Sequence, residues 1–185
     1  MTSWAVLEID AIMLRLRAIE SATAAAILAG RLPSRIIFAP GYPSRFSLEV
    51  MRLVVDQGGP GIGGPFFMVR KRDHAIVGEI GCTIDPVHGS GQVGYSVVEP
   101  SWGHGYATDA LTTLVWHLLT QTPVRRITAE TPEDHVASRR VMEKAGMRLC
   151  DRYAGEVDGQ ERMLVRYEIR ADPASVRQAT APARR

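Results

Sequence analysis

The chain has 185 residues, 45% of them hydrophobic and 23% charged, with a formal net charge of +2. That length allows a domain able to bury a real core, and so small a positive excess excludes the strongly basic surface of a dedicated nucleic-acid binder. No run reaches the ~18 apolar residues of a membrane helix, and the opening Met1-Thr2-Ser3-Trp4 lacks the basic start and apolar stretch of a signal peptide, so a cytoplasmic protein is expected.

Ile12 to Arg17 alternates apolar and polar residues and reads as an opening strand. Glu20 to Ala29 is alanine-rich and stops at Gly30, which predicts a helix. Ser44 to Asp56 is a second helix, with Phe46, Val50, Leu53 and Val54 at helical spacing and Gly58-Gly59-Pro60 behind it. The glycine-rich stretch Gly58 to Pro65 lacks the Gly-Lys-Ser/Thr ending of a P-loop and reads as a surface loop. Three strands follow, at Pro65–Arg72, Ala75–Asp85 and Gly91–Val98. A helix over Tyr106 to Leu119 presents Ala107, Leu111, Leu114, Val115 and Leu118 as its core stripe. Val124–Glu130 is a short strand. Thr131-Pro132-Glu133-Asp134 then reads as a helix start, with Thr131 as the cap and the helix ending at Gly146. Met147–Ala154 and Glu161–Ile169 form a hairpin about Asp158-Gly159. Cys82 and Cys150 form no CxxC pair and read as buried thiols, and Trp4 and Trp116 read as packing residues. His74, His88 and His117 are isolated, and no metal-binding spacing is present.

The densest chemical signal is Trp102-Gly103-His104-Gly105-Tyr106-Ala107-Thr108-Asp109-Ala110-Leu111, which leaves a strand and opens a helix. Gly103 and Gly105 can take φ values closed to other residues, so successive N–H groups can converge, and the helix behind them adds its unpaired N–H groups and dipole. A pyrophosphate is the expected ligand.

The run Gly94-Tyr95-Ser96-Val97-Val98-Glu99-Pro100, followed by Gly103 to Leu111, resembles the acetyl-CoA-binding motif of the GNAT N-acetyltransferases. Ala129-Glu130-Thr131-Pro132 and Ala137-Ser138-Arg139-Arg140-Val141-Met142-Glu143-Lys144-Ala145-Gly146-Met147 resemble the closing motif of that family, most like the branch containing the ribosomal-protein N-terminal acetyltransferases. The resemblance spans about residues 10–170, read as a single domain (1–170) with a Pro/Ala/Arg-rich tail, 171–185, read as disordered. It implies an α/β (mixed α+β) fold. The central sheet is mixed and largely antiparallel, with about seven strands flanked by about four helices. Two parallel strands, here Gly91–Val98 and Val124–Glu130, would splay apart to admit acetyl-CoA.

What the resemblance implies is an acyltransferase moving acetyl from acetyl-CoA to a primary amine by direct attack. A protein or peptide N-terminal α-amine is the favoured acceptor. A small-molecule amine or antibiotic is the alternative substrate, and a catalytically idle acyl-CoA-binding module is the alternative class. The enzyme is expected to be a monomer or homodimer with no metal, nucleic-acid or membrane partner. Gly103, His104, Gly105, Tyr106, Ala107 and Thr108 would hold the pyrophosphate, and an N–H of Val97 or Val98 would polarise the thioester carbonyl. Trp102 stands where the family has Arg or Gln, His135 where an asparagine contacts pantetheine, and Met142 where many relatives carry a tyrosine that protonates CoA. Ser138, one helical turn earlier, is the substitute proton donor and a cofactor contact. Glu130 is the candidate base, or else a partner for the dipole of the next helix; Glu79 ranks below it. An α-amine with a pKa near ~8 is about a tenth neutral at pH 7, against about one lysine in two thousand, which suits a site whose base is weak.

Overall fold

The computed structural model describes residues 7–172. In chain order the elements are β1 (Glu8–Asp10), β2 (Leu14–Ala18), α1 (Ser21–Leu28), β3 (Ile37–Phe38), α2 (Arg45–Asp56), β4 (Phe66–Arg70), β5 (Ala75–Asp85) and β6 (Ser90–Val97). A single 3-10 turn (Glu99–Ser101) leads to α3 (Tyr106–Gln121), β7 (Arg126–Pro132), α4 (Val136–Lys144), β8 (Arg148–Val157) and β9 (Gln160–Arg170). Pairing is antiparallel apart from two parallel pairs, β3 with β5 and β6 with β7, so the sheet is mixed and largely antiparallel, with four α-helices beside it. Nine strands stand among the described residues instead of about seven, because β1 and β3 are too short to announce themselves by alternation.

The chain divides into two compact units. The first comprises residues up to Cys82 together with Gly94–Thr113. Its strands run β1-β2-β4-β5, with β3 beside β5 and the carboxyl half of β6 bonded to β5 through Val98 N–H to the Val77 carbonyl at 2.9 Å. Leu14, Leu16, Ile27, Met51, Val54, Phe66, Met68 and Ile76 form its core, all at 2% exposure or less. α2 begins at a capping box in which Ser44 and Ser47 satisfy each other's N–H groups. Gly78 is required by packing: a Cβ there would meet the Ser96 carbonyl oxygen at 2.0 Å.

The second unit comprises Thr83–Val93 and Leu114 onward. Its strands run β6-β7-β9-β8, and the parallel ladder pairs Ser90 with Arg126, Gly91 with Ile127 and Gln92 with Thr128. A parallel pair needs a crossover, which α3 supplies, and that connection sets the helix N-terminus past the carboxyl end of β6. Leu114, Leu118, Ile127, Ala129, Met142, Val165 and Tyr167 fill this core.

Several sequence expectations require correction. Thr131 does not cap a helix: β7 continues through Pro132, pairing Thr131 with Val165 and Pro132 with Leu164, and α4 starts later with His135 at its N-cap. The ladder to β9 outweighs the local Thr-Pro-Glu-Asp signal. The buried residues of α2 are Ser47, Met51 and Val54, while Phe46 and Leu53 are exposed. Cys82 is buried but Cys150 is exposed on β8. Trp116 is 61% exposed and is no core residue. Trp4 and all but the first two residues of the expected tail lie outside the described residues. The Asp158-Gly159 hairpin turn is present, with φ of 52° and 73°. Among the described residues no helix is long and apolar enough to cross a membrane.

Candidate active site

In the first unit β6 ends, the 3-10 turn reverses the chain, and Gly103-His104-Gly105 leads into α3. Gly103 and Gly105 have φ of 76° and 81°, the left-handed region that an L side chain resists. The N–H groups of Gly103, His104 and Gly105 have no acceptor among the described residues. Those of Tyr106, Ala107 and Thr108 open the helix and have no intrahelical acceptor. The three residues from Gly103 are exposed, and a Cβ at Gly103 would meet nothing within 4 Å. This set of donors, at the positive end of a sixteen-residue helix, can hold a diphosphate.

The one acid in the first turn of α3 does not oppose that anion. Asp109 is buried and accepts from the N–H groups of Ile12 at 3.0 Å, Met13 at 2.8 Å and Leu14 at 3.1 Å. It thereby locks the β1–β2 connection onto the helix start. The Nδ1 of His104 bonds the Trp102 carbonyl at 2.8 Å, and its ring stacks on Tyr106 at 5.6 Å. Nδ1 therefore carries the proton, and the histidine shapes the turn. The Tyr106 ring itself is buried, so this residue offers its backbone.

Trp102 ties the turn to the strand end: its Nε1 donates to the Val97 carbonyl at 2.6 Å although the residue is 62% exposed. Val98 N–H is already given to Val77, and successive N–H groups on a strand point to opposite sides. Of the two expected thioester donors, only Val97 therefore directs its N–H away from β5.

In the second unit, Glu130 lies opposite Arg166 on β9 and is bonded to it, Arg166 Nε donating to Oε1 at 2.6 Å. The Arg166 guanidinium stacks over Tyr153 at 5.0 Å and reaches Asp151 at 3.5 Å. The hydrogen bond it donates to Glu130 holds the Arg166 pKa above its ordinary value, and burial with Glu130 beside it raises that of Tyr153. His135 Nδ1 lies 3.1 Å from the Thr131 hydroxyl. Ser138 is the third residue of α4 and is half-buried. Met142 is buried and cannot donate a proton. Arg139 donates to the Tyr167 hydroxyl at 3.3 Å, and that hydroxyl donates to Glu143 at 2.7 Å.

Glu79 is a different kind of carboxylate. It is 1% exposed on β5, and among the described residues neither oxygen has a hydrogen-bond partner, nor has the buried hydroxyl of Tyr42. Burial pushes its pKa up to about 7, with Tyr42 and Ser47 close enough to oppose the shift. It pairs with no arginine among the described residues, and it is sealed from solvent.

Residues 14–148 match the family described as the acetyltransferase (GNAT) domain. The chain belongs to the GNAT family. It is an acetyltransferase with acetyl-CoA as cosubstrate. RimL, a ribosomal L7/L12 alpha-N-protein acetyltransferase solved with coenzyme A, shares the fold at a TM-score of 0.68 and 18% identity, over 90% of this chain and 99% of that one. A ribosomal-protein-S5-alanine acetyltransferase from Vibrio fischeri gives 0.65 at 18% identity, over 90% and 98%. The microcin C7 self-immunity acetyltransferase MccE, in complex with acetyl-CoA and AMP, gives 0.65 at 15% identity, over 85% and 92%. Comparison with curated proteins gives no match.

Asp109, Arg166 and Tyr153 escape sequence reasoning. Asp109 carries a faint signal as an acid in the first turn of a helix, but its partners lie 95 to 97 residues away.

Proposed function

We propose that this acetyltransferase modifies the α-amine of a peptide or protein N-terminus, in the manner of the ribosomal-protein acetyltransferase branch. The observation that carries the reading is the commitment of Glu130 to Arg166 at 2.6 Å. That ion pair must open before Oε1 can take a proton, and Glu79 is sealed in the first unit. A site whose carboxylates are so engaged favours an acceptor that supplies its own neutral fraction. At pH 7 an α-amine is about a tenth neutral and a lysine only about one part in two thousand. RimL, described as an alpha-N-protein acetyltransferase, supports the same reading.

In this mechanism the N–H groups from Gly103 to Thr108 hold the pyrophosphate, and His104 keeps the turn in shape. Val97 N–H polarises the thioester carbonyl where negative charge develops. His135 contributes to pantetheine through the ring nitrogen that Thr131 leaves open. The amine nitrogen bonds to the carbonyl carbon, the C–S bond breaks, and the Ser138 hydroxyl gives its proton to the departing sulfur. The proton shed by the nitrogen restores Ser138, so the products are the acetylated amine and free CoA thiol. Glu130 serves as the anchor of Arg166 and Tyr153 and takes no proton directly.

The test is a mass-spectrometric screen of acetylated products from a mixed peptide and amine library, paired with kinetics of Ser138→Ala. N-terminally acetylated peptides should dominate. The variant should lose kcat by about tenfold or more with little change in the KM for acetyl-CoA. Products confined to small-molecule amines, or unchanged turnover in the variant, would sink the proposal.

A further inference from the structure

A cavity of ≈ 160 Å³ in the first unit is lined by Glu8, Arg15, Arg17, Arg35 and His74, with Val69 on its apolar side. Its position follows from strand register. Arg15 lies opposite Val69 and Arg17 opposite Phe67, which in turn lies opposite Glu79. Directly opposite residues share a face, so these arginines rise from the face that carries Phe67 and Glu79. Tyr42 packs on the same face, its ring edge-on to Phe67 at 6.4 Å.

Three guanidiniums meet one carboxylate here. Glu8 lies opposite Arg17 but reaches Arg15 instead, at 3.8 Å. Asp10, opposite Arg15, is held by Lys71 at 2.9 Å. Arg17 is half-buried, and neither it nor Arg35 has an ion pair or hydrogen bond among the described residues. Residues 1–6 and 173–185 contain no Asp or Glu, so no side chain there can supply the missing charge. Two other partly buried arginines have carboxylate partners, Arg70 with Asp73 at 2.6 Å and Arg166 with Glu130 at 2.6 Å, and the half-buried Arg139 donates to the Tyr167 hydroxyl at 3.3 Å and the Glu133 carbonyl at 3.1 Å. A partly desolvated cation left without a counter-ion carries an uncompensated cost that a bound anion would remove.

We propose that this cavity binds an oxyanion of the acceptor, a carboxylate or a phosphate, and so selects substrates with negative charge near the amine to be acetylated. Guanidinium forks match the planar, two-oxygen geometry of such groups. The cavity reaches Ile37, and four residues further along the chain a Cβ at Gly41 would lie 3.4 Å from Pro100 and 3.9 Å from Val98. Four residues span at most ~14 Å. With the reacting amine at Val97–Val98, the anion then belongs about four to six residues into the peptide. The inference rests on the peptide α-amine reading of the acceptor.

The experiment compares N-terminal acetylation of matched peptides carrying Gln, Glu or phosphoserine at positions about four to six. The parent chain is set beside Arg17→Gln/Arg35→Gln and the milder Arg35→Gln alone, each checked for an unchanged melting profile. Anionic peptides should show a KM about tenfold lower than neutral ones, with kcat similar, and the double variant and added salt should erase that preference. Glu against phosphoserine tells carboxylate from phosphate. Equal KM values for neutral and anionic peptides, or a preference that survives in the double variant, would overturn the site while leaving the acetyltransferase reading intact. If no peptide is acetylated, the acceptor reading fails, and anisotropy of the labelled anionic peptides on the CoA-saturated protein decides the site alone. Binding lost in the double variant supports it, and binding absent from the parent chain, or retained in the variant, refutes it.

Discussion

Glu79→Gln should change how stability depends on pH, in a direction and by an amount that the structure sets. The carboxyl is 1% exposed with both oxygens unpartnered, and burial lifts its pKa from 4.5 to about 7. Between those values the folded chain holds a proton that the unfolded chain has released. The folded state binds more protons there, so stability falls as pH rises through the window. Below about pH 4.5 there is no penalty, and above about pH 7 it is complete. A gap of about 2.5 units at ~1.36 kcal/mol each amounts to about 3 kcal/mol. Glutamine has nearly the same shape and does not ionise, so the variant lacks this slope. Its buried amide brings an unmet donor that costs ~1–3 kcal/mol, but that cost is the same at every pH. The observable is therefore the change in the difference between variant and parent. In urea titrations from about pH 4.5 to about pH 8, glutamine should gain about 3 kcal/mol on glutamate, or roughly 6–12 °C in Tm for a chain of this size. Stability curves that run parallel across the range would refute the placement of Glu79 as an unpartnered buried carboxylate.

Three further substitutions probe the site and its supports. Gly103→Ala must hold a side chain at a φ of 76°, which costs about 1–2 kcal/mol; the KM for acetyl-CoA should rise about tenfold while the melting temperature drops only a few degrees. Asp109→Ala strands three backbone donors and should destabilise the chain by roughly 3–5 kcal/mol in urea titration, with Asp109→Asn intermediate. Gly78→Ala would place a Cβ 2.0 Å from the Ser96 oxygen, and expression in soluble form with an unchanged melting curve would contradict the β5–β6 packing described above.

Elements with a full period of their own were legible in the sequence, and those that depend on distant partners were not. Leu111, Leu114, Val115 and Leu118 mark the buried face of α3 because 3.6-residue spacing is a local property. The Ala75–Asp85 strand is bounded as its alternation predicts. β1 and β3 have three and two residues, too few for alternation to register, and they exist only through their neighbours. The Thr131 cap was a sound local reading overruled by a cross-strand ladder, and the α2 face shifted because Ser47, polar by type, is buried beside Tyr42 and Glu79 with its hydroxyl satisfied by the capping partner Ser44. Glu130 and Arg166 are 36 residues apart and meet only through the β7–β9 register, which no composition or spacing reveals. The glycine turn was legible because left-handed backbone at Gly103 and Gly105 is a demand on residue type. That Val98 spends its N–H on Val77, leaving Val97 as the one of the two expected donors that faces away from β5, depends on how β5 and β6 pair and could not be read in advance.

The central claim, transfer to an α-amine that supplies its own neutral form, is tested most directly by two matched peptides. One has a free N-terminus and a blocked lysine, the other a blocked N-terminus and a free lysine. With acetyl-CoA saturating at pH 7, kcat/KM for the α-amine should exceed that for the ε-amine by about two hundredfold, the ratio of their neutral fractions. The advantage should shrink toward about pH 9 as the α-amine becomes fully neutral while the lysine continues to gain. Equal rates at pH 7, or a preference for the ε-amine, would contradict the account.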